Sequence, residues 1–192
     1  MRRIIFIALS AGLISPLSSA DFNWVGVSGA DSMANIESSI QTGEDNHLFP
    51  GISLQVGRSF SLAKSYGVSL GLDVSAMAGK TGAVATGQSK LKYHYAARLY
   101  PWYMLTPKVN TWLALGYGGA KVNFRHSTAA PDLSLTGLQY GLGASYALSD
   151  NSVVVLNYNY VDFGKKTIPH SSGNYTYNMK LSNMSLGYAR MF

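Results

Sequence analysis

From Asp21 onward the chain changes polarity with a period of two, the mark of strands whose two faces meet different surroundings. Ile52, Leu54 and Val56 alternate with Ser53, Gln55 and Gly57, and Val68 through Ala76 alternate with Ser69, Gly71, Asp73 and Ser75. Segments near 89–100, 110–124, 133–148 and 152–163 repeat the pattern, as does a last one through Met184, Leu186, Tyr188 and Phe192. A weaker segment, Phe22 to Ala30, brings the number of predicted strands to eight. After Asp21 no apolar run exceeds Val153-Val154-Val155-Leu156, whereas a membrane helix needs about 20 apolar residues.

A soluble sandwich would also alternate, but it would carry charge on its outward face. Here the second face is Gly, Ser, Ala and Asn, and charge gathers in one strand and in the connections. This predicts an all-β fold: an eight-stranded antiparallel up-and-down barrel whose apolar face meets lipid and whose narrow interior holds small and polar groups. Closure leaves no strand edge unpaired, as a bilayer demands. The predicted connections are long at 31–48, 79–88 and 164–174, short at 61–65 and 149–151, and moderate at 101–109 and 125–132. With both termini periplasmic, the first, third, fifth and seventh connections are external. The 101–109 connection, rich in aromatic residues and Pro, is expected to place Trp102 and Tyr103 in the periplasmic aromatic girdle.

The N-terminus is an address. Met1-Arg2-Arg3 is followed by an apolar run from Ile4 to Ile14, then Pro16 and Ser18-Ser19-Ala20, the form of a secretory signal peptide cleaved before Asp21. The expected domains are therefore 1–20, signal peptide, and 21–192, barrel. Only 12% of residues are charged, against about 25% in ordinary soluble domains. The formal charge of +6 falls to +4 without Arg2 and Arg3, a mild excess that, with export, argues against a nucleic-acid partner. Cysteine is absent, which excludes disulfides and thiolate chemistry.

Candidate chemistry concentrates in the third and fourth predicted strands, whose inward positions include Asp73, Lys92, His94 and Arg98. One register sets Asp73 opposite His94; a shift of two residues sets it opposite Lys92. Directly opposed side chains lie about 5 Å apart at Cβ. The cluster reads either as a catalytic or gating group or as a salt-bridge network filling a closed interior, where buried charge must be paired; the latter is preferred. Ser75-His94-Asp73 makes a poor triad, with no sign of an oxyanion hole. His126-Ser127, His47 and His170 fall in predicted connections without metal-ligand spacing, and no metal or cofactor is expected. Asp31, Glu37, Glu44 and Asp45 make the first connection acidic, and Gly116, Gly118 and Gly119 line a narrow wall instead of forming a phosphate loop. Lys80, Lys90, Lys121, Arg125, Lys165, Lys166 and Lys180 fall near the outer rim, where attraction to an anionic surface and solubility alone account for them equally well.

The export segment, Leu113-Ala114-Leu115-Gly116-Tyr117-Gly118-Gly119, Gln139-Tyr140-Gly141-Leu142-Gly143-Ala144 and the terminal Leu186-Gly187-Tyr188-Ala189-Arg190-Met191-Phe192 together resemble the eight-stranded outer-membrane barrels of Gram-negative bacteria, the OmpA-transmembrane, OmpX/Ail and opacity-protein group. The resemblance implies an outer-membrane location and, in Tyr188 and Phe192, a C-terminal signal for the insertion machinery. Arg190 departs from it, since an apolar residue usually holds that outward position. Implied partners are outer-membrane lipid, lipopolysaccharide and an extracellular ligand or host surface, with the barrel a monomer. The expected function is structural or surface interaction (adhesion or opacity-like) through extracellular loops, without enzymatic activity. The alternatives are a narrow anion-biased pore and a lipid A-modifying enzyme.

Overall fold

The structure, a computed structural model, describes residues 21–38, 41–78, 88–125, 132–170 and 173–192. Eight strands follow one another: β1 (Phe22–Ser38), β2 (Gln41–Ser61), β3 (Tyr66–Met77), β4 (Gln88–Thr106), β5 (Val109–Arg125), β6 (Asp132–Ser149), β7 (Ser152–His170) and β8 (Gly173–Met191). Each pairs antiparallel with its neighbour in sequence, and β8 closes on β1. The predicted number of strands and the closed barrel are both found. The signal peptide, residues 1–20, lies outside the described residues.

The strands are longer than the alternation suggested. A tilted strand crosses a bilayer in about 9–11 residues, yet seven of the eight run to between 17 and 21. Most of 31–48 and 164–174, expected as loops, is therefore strand. The 101–109 connection is likewise corrected: β4 continues to Thr106 and the chain turns at Pro107-Lys108. All three connections at the end carrying Phe22 and Met191 are thus tight, at residues 62–65, 107–108 and 150–151. Short turns mark the periplasmic end of such barrels.

The hydrogen-bonded rows across β7, β8 and β1 hold the physical reason for the longer strands. Towards the turns, the outward row is Leu156–Leu186–Gly29 and the inward row is Asn157–Ser185–Ala30. Further up, Asn159–Asn183–Ser32 still faces inward. Two residues beyond it the inward row becomes Val161–Leu181–Ala34, all buried, and the next outward row is Asp162–Lys180–Asn35. The alternation persists but its sense reverses. Below this level the barrel is polar inside and apolar outside; above it, apolar inside and polar outside. Phe49, Leu91, Val122 and Leu135 from four other strands complete the upper core, each at 2% exposure or less. The wall thus leaves the hydrocarbon and continues into water as an ordinary β-barrel with an apolar centre.

Candidate functional site

Below the apolar core, β3, β4 and β6 bring a charged cluster to the inner wall. Asp73, His94, Arg98 and Gln139 are all buried. The register is neither of the two expected: Asp73 faces Ala96, Ser75 faces His94 and Gly71 faces Arg98. Asp73 consequently lies diagonally between the two bases. One guanidinium nitrogen of Arg98 lies 3.0 Å from Asp73 Oδ2, and His94 Nδ1 lies 3.7 Å from Oδ1. The guanidinium approaches off its N–H axis, so the contact is an ion pair without a well-aligned hydrogen bond.

Gln139 closes the ring from two strands along the wall, in one row with Gly116 and Arg98. Arg98 Nε donates to Gln139 Oε1 at 3.0 Å, and Gln139 Nε2 meets His94 Nε2 at 2.8 Å. An amide whose oxygen takes the Arg98 proton has only donors left for the imidazole, so His94 Nε2 accepts and the ring proton sits on Nδ1, facing Asp73. Nε2 is thereby engaged, while Nδ1 lies beyond hydrogen-bond distance of Asp73. Arg98 also donates to the Tyr100 hydroxyl at 3.5 Å. Gly118 makes room for the bridge: a Cβ there would collide with Gln139 Nε2. Buried charge of this kind is tolerated when paired and hydrogen-bonded. Smaller pairs extend the polar zone, with Ser69 donating to Ser59 at 2.9 Å and Asn183 Nδ2 to Ser32 Oγ at 2.7 Å.

The expected cluster is therefore present in three of its four members. Lys92 is the exception: a bulge between Leu91 and Tyr93 turns it to the exposed side, away from the ring. A bulge adds one residue to one strand and so exchanges faces beyond it, which a period-two count cannot anticipate. Gln139 was not singled out in the sequence; its inward position in a glycine-rich segment was the available signal.

The aromatic girdle also needs one correction. Tyr103 is outward and exposed, but Trp102 faces the interior and is buried. Because β4 is still a strand at this point, consecutive residues must take opposite faces. The outward ring at the turn end is Tyr66 directly opposite Tyr103, with Tyr146, Tyr188 and Phe192, all half-exposed. Tyr188 shares a 2.6 Å hydrogen bond with Ser152, and Phe192 and Asn23 exchange two backbone hydrogen bonds of 2.9 Å.

Asp31 is exposed on β1, not in a loop. Lys165 and Lys166 are exposed, while Lys121 and Lys180 are half-buried. Gly116 and Gly118 face the interior and Gly119 the outside, beside Tyr95. Lys80, His126 and Ser127 lie outside the described residues, as do the side chains of Glu37, Glu44, Asp45, His47, Lys90, Arg125 and His170. No group of three or more potential metal ligands occurs among the described residues.

Residues 4–192 match the family described as Outer membrane protein beta-barrel domain. The chain belongs to this family. Among solved structures it is similar to Ail, the attachment invasion locus protein of Yersinia pestis, at 17% identity and a TM-score of 0.59, over 89% of this chain and 98% of Ail. It is similarly related to Neisserial surface protein A (18%, TM-score 0.60, 88% and 97%) and to the outer membrane protein OprG of Pseudomonas aeruginosa (13%, TM-score 0.55, 89% and 96%). A further Ail structure, 17% identical with a TM-score of 0.60 over 90% of this chain and 99% of that one, holds the heparin analogue sucrose octasulfate. At these identities the likeness is one of fold. No curated protein sequence matches the chain. The family and the lipid-facing surface place this protein in the outer membrane.

Proposed function

We propose that this protein is a closed, non-enzymatic barrel that works by surface interaction at its extracellular end. The observation that carries the reading is the reversed upper barrel: an apolar core inside, and outside it a polar wall bearing Lys165, Lys166 and Lys180. An interior filled by Phe49, Leu91 and Leu135, above a ring of Asp73, Arg98, Gln139 and His94, offers ions no favourable path. Planar-bilayer recordings are expected to show no conductance steps at any pH; regular steps would replace this reading with the anion-biased pore. Lipid A from cells with and without the protein is expected to give the same mass spectrum, since His94 is buried and its Nε2 is already taken by Gln139.

The ligand class favoured by the exposed lysines is a sulfated or phosphorylated polyanion, either a host polysaccharide or the lipopolysaccharide of the same membrane. The related Ail, crystallised with a sulfated sugar, supports that class. Charge reversal at Lys165 and Lys166 should lower the salt needed to elute the micelle-bound barrel from a heparin column, and unchanged elution would remove polyanions from the proposal. In this reading the barrel is a monomer, and the outward Tyr188 and Phe192 supply the signal that the insertion machinery reads.

A further inference from the structure

The interior beneath the charged ring is of a different kind. The chain has three tryptophans, and all of them line one cavity at the turn end of the barrel. Trp24, Trp102 and Trp112 meet there with Phe22, Tyr100 and Asn110 around a volume of about 100 Å³. The rings are held against the wall. A Cβ at Gly67 would lie 2.5 Å from Trp102, and one at Gly143 would lie 2.5 Å from Trp112, so glycine lets each indole lie flat over the neighbouring strand. Tyr100 stands edge-on to Trp24, at 6.2 Å and 75°. The space between the rings is therefore set by the wall, through the glycines that let the indoles lie back against it.

Three polar atoms of its lining residues are unspent. Trp102 Nε1, Trp112 Nε1 and Asn110 Oδ1 are buried and have no hydrogen-bond partner among the described residues, and Trp102 as a whole is 8% exposed. Leaving a buried donor or acceptor unpaired costs about 1–3 kcal/mol, which favours any water or ligand that pairs with these three atoms. Two are donors and one is an acceptor. A hydroxyl oxygen can accept from an indole N–H while its proton goes to the amide oxygen. The aromatic walls suit a flat apolar body, and the volume approaches the roughly 150 Å³ of cavities known to take benzene.

We propose that the periplasmic end of the barrel is a binding site for a small, uncharged, single-ring phenolic compound, with its ring among Trp24, Trp102 and Trp112 and its hydroxyl bridging an indole N–H and Asn110 Oδ1. The site is separated from the extracellular surface by the apolar core and the charged ring, and the proposal is independent of the surface-interaction reading above. A ligand enters it from the periplasm, between the turns at 62–65, 107–108 and 150–151.

The tryptophans supply the test, because each indole gives its own nuclear magnetic resonance signal. The full barrel, labelled with ¹⁵N at the indoles and refolded into lipid nanodiscs, is titrated with phenol and separately with toluene. Phenol is expected to move the Trp102 and Trp112 N–H signals along a saturable curve, more than that of Trp24, and toluene to bind more weakly. Asn110→Leu should weaken phenol about tenfold, equivalent to about 1.4 kcal/mol, and leave toluene unchanged. Non-saturating shifts shared equally by all three indoles would overturn the proposal. So would indoles that keep contact with water and do not move at high phenol, which would make the cavity a hydration site. If the Asn110→Leu chain fails to fold, the comparison of phenol with toluene on the unaltered barrel still decides.

Discussion

The lower and upper halves of the same strands solve opposite problems. In the lower half, Leu186 and Leu156 are exposed outward while Ser185 and Asn157 are buried; in the upper half, Leu181 and Val161 are buried while Lys180 and Asp162 face out. Along β7, β8 and β1 the backbone ladder does not change between them. What changes is the solvent against the outer wall, and the side chains exchange places within two residues of Asn183. The hydrophobic effect acts on the upper half as it does in any water-soluble barrel. In the lower half, lipid removes that drive, and internal cohesion falls to packing and to the ring of Asp73, Arg98, Gln139 and His94.

The largest effects should therefore come from breaking each half by its own rule. Arg98→Met leaves Asp73 buried beside a neutral partner and should cost about 3–5 kcal/mol; adding Asp73→Asn should restore most of it, as read by urea unfolding in lipid vesicles. An equal loss in the double variant would mean the ring is not an electrostatic unit. Leu181→Ala in the upper core should cost about 2–5 kcal/mol. The same change at Leu186, which is 61% exposed to lipid, should cost far less, and similar losses at both would erase the contrast between the halves. Leu115→Arg on the lipid face should cost about 2–4 kcal/mol, whereas Thr136→Arg on the upper outer wall should stay within about 0.5 kcal/mol. A harmful Thr136→Arg would extend the hydrocarbon boundary upward.

Among the destabilising changes, the smallest expected effect is at Gly164. It sits in the bulge between Asp162 and Lys165 with φ of 65°, and its N–H donates to Asp162 Oδ1 at 2.8 Å. Gly164→Ala has open space for its methyl group, so only the left-handed backbone opposes it, at about 1–2 kcal/mol. A neutral result in thermal unfolding would show that the bulge relaxes.

The barrel was legible because lipid outside and a narrow bore inside impose a strict period of two wherever both are present. Legibility ended where one of those conditions ended. Above the bilayer the outward positions turn polar, so Asp31 and Lys165 looked like loop residues although the strands continue through them. Trp102 was misplaced because two prolines suggested a loop, while Pro101 sits within β4 and only Pro107 turns the chain. Asp73, His94 and Arg98 were visible as inward charges, but the bulge that ejects Lys92 has no compositional mark. Gln139 reaches Arg98 over a separation of 41 residues, in one row with Gly116 between them on β5, a three-strand register that single-strand patterns do not carry.

The seam between β1 and β8 has a consequence for time as well as for shape. It joins Trp24 to Met191, so the first strand must wait for the last before either has its second neighbour. Every intermediate with fewer than eight strands carries two unpaired edges, which hydrocarbon penalises heavily, and contacts this distant in sequence form slowly. The protein has no stable half-inserted form available to it. Assembly must therefore hold those two edges apart from lipid and from other chains until they meet, and the rate of delivery of β8 sets how long that protection has to last.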